Sequence, residues 1–86
     1  MPTISSFFGI VIRMFYKDHG PPHFHAEYQG QRATFDFDGN MTRGSMRSVT
    51  AKKLIRDWAV IHKSELEENW NNARVDKPLF KIAPFD

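Results

Sequence analysis

The chain has 86 residues, a length that fits one domain, 1–86, with a modest core. It has no cysteine, which excludes disulfides, thiolate metal ligands and a cysteine nucleophile. Its net charge of +2 is weak evidence for a nucleic-acid partner. Its apolar runs are shorter than the roughly 18 residues of a membrane span, and its N-terminal segment lacks signal-peptide features. We therefore expect a cytoplasmic protein with no membrane partner.

Strand-forming residues dominate the first half of the chain. Residues 7–16 are β-branched and aromatic on both faces, which predicts one central strand. A Gly- and Pro-rich turn leads to a second strand over 23–28, and a Gln-Gly turn leads to a third over 31–38. The third run alternates apolar and polar residues, as in a strand with one face in water. After a further turn, residues 41–46 form either a short fourth strand or a loop.

The second half of the chain has a helical period. Ser48 or Thr50 is suited to cap a helix, and helical spacing then links four apolar residues, Leu54, Ile55, Trp58 and Ile61. Ser64 followed by Glu67 is a capping box that indicates a second start. We therefore expect one long helix, or two helices with a break near His62. The tail, KPLFKIAPF, should be extended and pack on the body or on another subunit.

These elements predict an α+β fold. We expect a small antiparallel sheet of three or four strands, followed by one long or two shorter helices packed on one face.

Three of the four histidines lie in HGPPHFHAEY, residues 19–28. Because alternate residues of a strand share a face, His23, His25 and Glu27 should point the same way. The two prolines stiffen the approach to this strand, and His19 lies across that corner. The pattern indicates a group of titratable side chains held by a rigid backbone.

Three interpretations of this group remain open. His19, His23 and His25 are candidates for metal-free acid–base catalysis, because imidazole titrates near neutral pH. A divalent metal such as nickel, iron or zinc is not favoured, although His19, His23, His25 and Glu27 would be its ligands if one binds. The third interpretation is structural, with histidines that bond to carbonyl groups at the proline turn or contact a partner protein.

Basic and aromatic residues extend the candidate site. Arg13 stands in the most apolar predicted strand and is a candidate catalytic group that stabilises phosphate charge. Arg32, Tyr28 and Lys52 are the candidate substrate-binding residues. His62, the fourth histidine, is expected in the last turn of a helix, where a cation is favourable.

The sequence resembles a small bacterial family known as domain of unknown function 4160. The resemblance is carried by Pro2-Thr3-Ile4-Ser5, by Asp18-His19, by Pro21-Pro22-His23-Phe24-His25, by Tyr28, and by Trp58, His62, Glu65, Leu66, Asn69 and Trp70 in the helical half. It implies a toxin-like role, because members are often encoded beside a second small protein in pairs that look like toxin–antitoxin modules.

The combined expectation is a toxin-like component of a type II toxin–antitoxin pair that acts on RNA as a ribonuclease. Its partner would be a small antitoxin-like protein encoded nearby. The alternatives are a non-enzymatic regulatory module that binds protein or nucleic acid, and a histidine-based metal-binding domain. The sequence also leaves open that the chain forms a homo-oligomer.

Overall fold

Five short strands form an antiparallel sheet in which each strand pairs with its neighbours in sequence, in the order β1-β2-β3-β4-β5. The computed structural model describes residues 2–86. The strands are β1 (Thr3–Phe7), β2 (Ile10–Arg13), β3 (Phe24–Tyr28), β4 (Gln31–Phe35) and β5 (Met41–Gly44), and the helices are α1 (Val49–Ile61) and α2 (Lys63–Arg74). The α+β class is confirmed, whereas the expected number of three or four strands was too low.

The sheet has more strands than expected because residues 7–16, predicted as one strand, contain a turn between β1 and β2. Phe8 and Gly9 form a two-residue turn with φ values of 51° and 80°, and Phe7 pairs with Ile10 across it. Two successive left-handed residues give the turn whose twist suits a tight β-hairpin. The apolar composition of this run hid the reversal, since a phenylalanine rarely adopts positive φ.

The second hairpin follows the sequence prediction. Gln29 and Gly30 have φ values of 50° and 77°, and Tyr28 pairs with Gln31 across them. β4 then alternates as expected, with Ala33 and Phe35 buried. The strand ends at Phe35, earlier than predicted. The segment after the next turn is a strand, β5, whose residues are all exposed.

The two helices meet at His62, as the break predicted there requires. The backbone N–H of Ala51 donates to Ser48 Oγ at 3.0 Å, so Ser48 is the N-cap of α1. The capping box predicted at Ser64 is wrong, because α2 begins at Lys63 and Ser64 already lies inside it. Helical hydrogen bonds continue through the junction, from the His62 N–H to Trp58 and from the Leu66 N–H to His62, so Ser64 has no helix start to cap.

Trp58 is the centre of the core, between the helices and the covered face of the sheet. Its side chain is fully buried, and its ring contacts those of Phe7 and Phe24 at centroid distances of 5.4 and 5.8 Å. The indole N–H donates to the Ala83 carbonyl at 2.9 Å, which satisfies its polar atom. This tryptophan therefore joins the sheet, α1 and the tail.

The tail after α2 is extended and packs on the body, as the sequence indicated. The N–H of Ile82 donates to the Ile4 carbonyl at 2.7 Å. The buried amide of Asn69 binds both the N–H and the carbonyl of Phe80, at 3.0 and 2.9 Å. None of the helices within residues 2–86 is both long and apolar enough to cross a membrane.

The opposite face of the sheet is not covered by the helices. Its side chains are half-buried or exposed, and we call this surface the open face: Val11, Arg13, His25, Glu27, Arg32 and Thr34. An antiparallel sheet commonly has one such wet face. The histidine-rich segment enters the sheet at one end of the open face.

Gly39 provides a test of how closely the β4–β5 turn packs on α1. An added Cβ would lie 2.6 Å from the Cα of Arg56, whereas Gly30, also at positive φ, has open space around it. Gly30→Ala should cost about 1–2 kcal/mol through backbone strain alone. Gly39→Ala should cost about 1–3 kcal/mol more, because backbone must move. Equal costs in urea denaturation would contradict this packing.

Ser48 and Ser64 form a matched pair that tests the helix starts. Ser48→Ala should lower the free energy of unfolding by about 1 kcal/mol, because the Ala51 N–H loses its acceptor. Ser64→Ala should change it by less than about 0.5 kcal/mol, since that serine makes no cap. Chemical denaturation of both variants measures the difference. A larger loss of unfolding free energy in Ser64→Ala than in Ser48→Ala would contradict this assignment and support the capping box predicted from the sequence.

Candidate functional site

Three side chains converge where the loop after β2 meets the start of β3. Asp18 comes from the loop, His23 immediately precedes β3, and His25 lies within it. Asp18 Oδ2 lies 2.9 Å from His23 Nε2 and 3.2 Å from His25 Nε2. We call these three residues the corner cluster. Their alignment follows from the two-residue period of the strand, which brings both imidazoles to one carboxylate.

The loop that carries Asp18 is anchored to the end of α2. Lys17 adopts a left-handed backbone, with φ of 56°, and its N–H donates to the Ala73 carbonyl at 3.1 Å. The next residue therefore turns toward the sheet. The backbone N–H of His19 donates to Asp18 Oδ1 at 2.9 Å, so this oxygen is held by backbone while Oδ2 faces the imidazoles.

Each imidazole is also held from the side away from the carboxylate. His23 Nδ1 lies 2.9 Å from the Pro21 carbonyl, which can only accept, so this nitrogen carries the donated proton. The His23 ring packs on Trp70 of α2 at 5.2 Å. The His25 ring stacks on Phe15 at 4.0 Å and 14°. These contacts fix the orientation of both rings.

The charge of Asp18 is favoured by its neighbours. Partial burial acts to raise the pKa of this carboxyl, but other contacts outweigh it. The hydrogen bond with His25, the backbone N–H of His19 and the nearby His23 together hold the pKa of Asp18 below its ordinary value of 3.8. The corner cluster is therefore built around a carboxylate anion.

An open cavity of about 530 Å³ lies beside the corner cluster. Strands β4 and β5 and the adjoining turn supply its other wall: Thr34, Asp36, Thr42 and Arg43. The hydroxyls of Thr34 and Thr42 are hydrogen-bonded at 2.9 Å, and Arg43 places a positive charge on this wall. The cavity thus combines titratable groups and the carboxylate of Asp36 with one cation, Arg43, that can attract an anionic ligand.

The sequence analysis grouped His19 with His23 and His25 in one candidate site, but its side chain lies apart from theirs. Its side chain is exposed and lines the cavity, while the contact with Asp18 is made by its backbone N–H. The three ligand-type atoms that lie close together belong to Asp18, His23 and His25. Sequence reasoning missed Asp18 and Arg43. Only Asp18 had a signal, a carboxylate next to the proline corner.

Glu27 has different partners from Asp18, although it shares the face of His25. Arg13 Nη1 donates to Glu27 Oε1 at 2.6 Å, and Arg32 Nε lies 3.7 Å from the same oxygen. The hydrogen bond from Arg13 is the main reason that the pKa of Glu27 is lowered. Arg13 pairs with His25 across β2 and β3, so this charged group borders the corner cluster without joining it.

The remaining candidates lie elsewhere. Tyr28 packs against the core rather than on the open face. Lys52 lies on α1 and lines a different open cavity, of about 490 Å³, beside Arg56. His62 sits between the two helices with Nδ1 2.5 Å from Glu65 Oε1, at the end of α1 as expected.

The fold and the site define a small α+β domain with a carboxylate–imidazole cluster at one corner of a five-stranded sheet. The family model for "Domain of unknown function (DUF4160)" matches residues 9–71, more than half of the chain. The chain belongs to this family, which confirms the resemblance seen in the sequence. No curated protein and no solved structure matches the chain.

The pair of Glu27 and Arg13 predicts a change in acid stability. Because the pKa of Glu27 is lowered from 4.5, its contribution is present above about pH 4.5 and is lost as the pH falls through the folded value. Glu27→Gln should therefore be less stable than the wild type at neutral pH, and the gap should close in acid. Urea denaturation at several pH values measures both curves. A gap independent of pH, or one equal to that of the exposed control Glu68→Gln, would contradict the prediction.

Proposed function

We propose that this chain is a toxin-like component of a type II toxin–antitoxin pair and acts on RNA in the cytoplasm, with the corner cluster as its reaction centre. The observation that carries the proposal is the convergence of Asp18, His23 and His25 on a cavity whose far wall holds Arg43. The partner would be a small antitoxin-like protein encoded nearby, as the family resemblance implies.

The chemistry of RNA cleavage fits the groups at this cavity. Cleavage of a phosphodiester needs a cation near its non-bridging oxygens. It also needs one group that accepts the proton of the attacking hydroxyl and another that donates a proton to the leaving oxygen as its bond to phosphorus breaks, roles that a neutral and a protonated imidazole can fill. Arg43 supplies positive charge, and the imidazoles supply basic nitrogen. Arg13, the cation expected from the sequence, is occupied by Glu27, so Arg43 replaces it in the proposal.

The proposed activity is tested by inducible expression, with growth and total RNA followed together, and by cleavage of RNA by the purified chain. The wild type should stop growth and fragment RNA. The double variant His23→Gln/His25→Gln should lose both effects, with cleavage slowed about 100-fold or more. Circular dichroism checks that the variant remains folded. Gln is preferred to Ala because the His23 ring packs on Trp70.

Two arginines provide a matched control. Arg43→Ala should slow cleavage, because it removes the cation from the cavity wall. Arg32 was a candidate for substrate binding in the sequence, but it contacts Glu27 on the open face and does not line the cavity beside the corner cluster, so Arg32→Ala should leave cleavage unchanged. A folded histidine variant that remains as toxic as the wild type would overturn the proposal and favour a non-enzymatic binding module. A harmless wild type that does not cleave RNA would overturn it as well.

A further inference from the structure

We propose that the corner cluster binds one divalent transition-metal ion through Asp18 Oδ2, His23 Nε2 and His25 Nε2. This inference deepens the proposed function and rests on its reaction centre, because it names the cofactor class of that centre. With an ion bound, the two imidazoles would serve as ligands, and a water held by the ion would take over proton acceptance from them. The proposed site uses a different ligand set from the one that the sequence suggested, with Asp18 in place of His19 and Glu27.

The spacing of the three atoms fits a shared ion. They all lie within 4.8 Å of one another, and Asp18 Oδ2 lies 2.9 and 3.2 Å from the two imidazole nitrogens. Ligand atoms about 2.0–2.1 Å from a zinc ion are about 2.9 Å apart at right angles and about 3.4 Å apart at tetrahedral angles. The two separations from Asp18 Oδ2 match edges of such a coordination shell.

The hydrogen bond at Pro21 gives the strongest reason for a cation. It fixes the only proton of a neutral His23 ring on Nδ1, so Nε2 offers a lone pair. This lone pair lies 2.9 Å from a carboxylate oxygen, which is also an acceptor. Two acceptors at this distance repel each other unless a positive charge stabilises the contact. A second proton on the His23 ring supplies such a charge, and so does a metal ion, which uses both lone pairs.

The surroundings of the ligands have the form of an outer coordination shell. Metal-binding imidazoles usually donate their other N–H to a carbonyl or carboxylate, as His23 does to Pro21. The ligating carboxylate is usually hydrogen-bonded too, and the backbone N–H of His19 binds Asp18 Oδ1. The stacking of His25 on Phe15 fixes the third ligand.

The donor set selects the class of metal. Two imidazoles and one carboxylate suit zinc, iron, nickel or cobalt rather than magnesium or calcium, which prefer oxygen ligands. Three protein ligands leave at least one coordination position for water or substrate. That position would face the cavity that contains Arg43. Glu27 is unsuited as a ligand, because Arg13 already occupies its carboxylate.

The test uses the untagged full chain, stripped with a chelator, and titrates it calorimetrically with Zn²⁺. The wild type should bind one ion per chain, and Zn²⁺ should raise its melting temperature. His25→Gln and Asp18→Asn should each weaken binding by more than about tenfold, since each removes or neutralises a ligand. His19→Gln is the matched control and should change the affinity by less than about twofold.

A spectroscopic readout locates the ion. Co²⁺ should give visible absorption bands in the wild type, and these bands should change in Asp18→Asn but not in His19→Gln. Absence of saturable Zn²⁺ binding up to about 1 mM would overturn the inference. So would a loss of affinity in His19→Gln as large as in His25→Gln.

The tests of metal binding and of RNA cleavage have outcomes that can be told apart. If the wild type binds Zn²⁺ through the corner cluster but does not cleave RNA, the metal site stands and the proposed function is wrong. If cleavage depends on His23 and His25 but the chelated protein neither binds Zn²⁺ nor loses activity, the proposed function stands and the metal inference is overturned.

Discussion

The burial of Trp58 is the constraint on which the rest of the molecule depends. One indole fills the space between the sheet and the tail, and its polar atom is satisfied by a tail carbonyl. Ring contacts continue from Trp58 through Phe24, Phe37 and Trp70 to His23. The core therefore reaches the corner cluster directly. A small domain with limited apolar area gains rigidity at its site in this way, because the site is an extension of its packing.

Two carboxylates beside β3 differ in their chemical environment, with Asp18 at the start of the strand and Glu27 near its end. Glu27 is paired with the guanidinium of Arg13, a donor that stays protonated and has no lone pair to offer. Asp18 faces His23 and His25, whose ring nitrogens can donate, accept or bind a metal. The first arrangement is an ion pair between two groups of fixed charge, whereas the second can exchange protons or ions. The identity of the basic partner, rather than the carboxylate itself, separates the two groups.

The sequence predicted the parts of this arrangement that depend on local pattern. Alternation placed His25 and Glu27 on one face, and the helical period located the break at His62. The turn at Phe8 was missed because an apolar run offers no contrast between faces, and only the pairing of Phe7 with Ile10 reveals the reversal. The corner cluster could not be predicted in this way, because the position of Asp18 depends on the path of its loop. That path is set by a hydrogen bond from Lys17 to the distant end of α2. No local pattern encodes such a contact.

The neighbour-to-neighbour order of the strands has a consequence for how the chain reaches this structure. Each hairpin closes a short loop, so the sheet assembles through contacts close in sequence, a property associated with fast folding. Docking of the tail is different, because the N–H of Ile82 must find the carbonyl of Ile4 at the other end of the chain. The entropy of closing that long loop is recovered only when Trp58 and Asn69 receive their tail partners. The covered core and the chain ends are thus held together by contacts distant in sequence, in contrast to the local contacts of the hairpins.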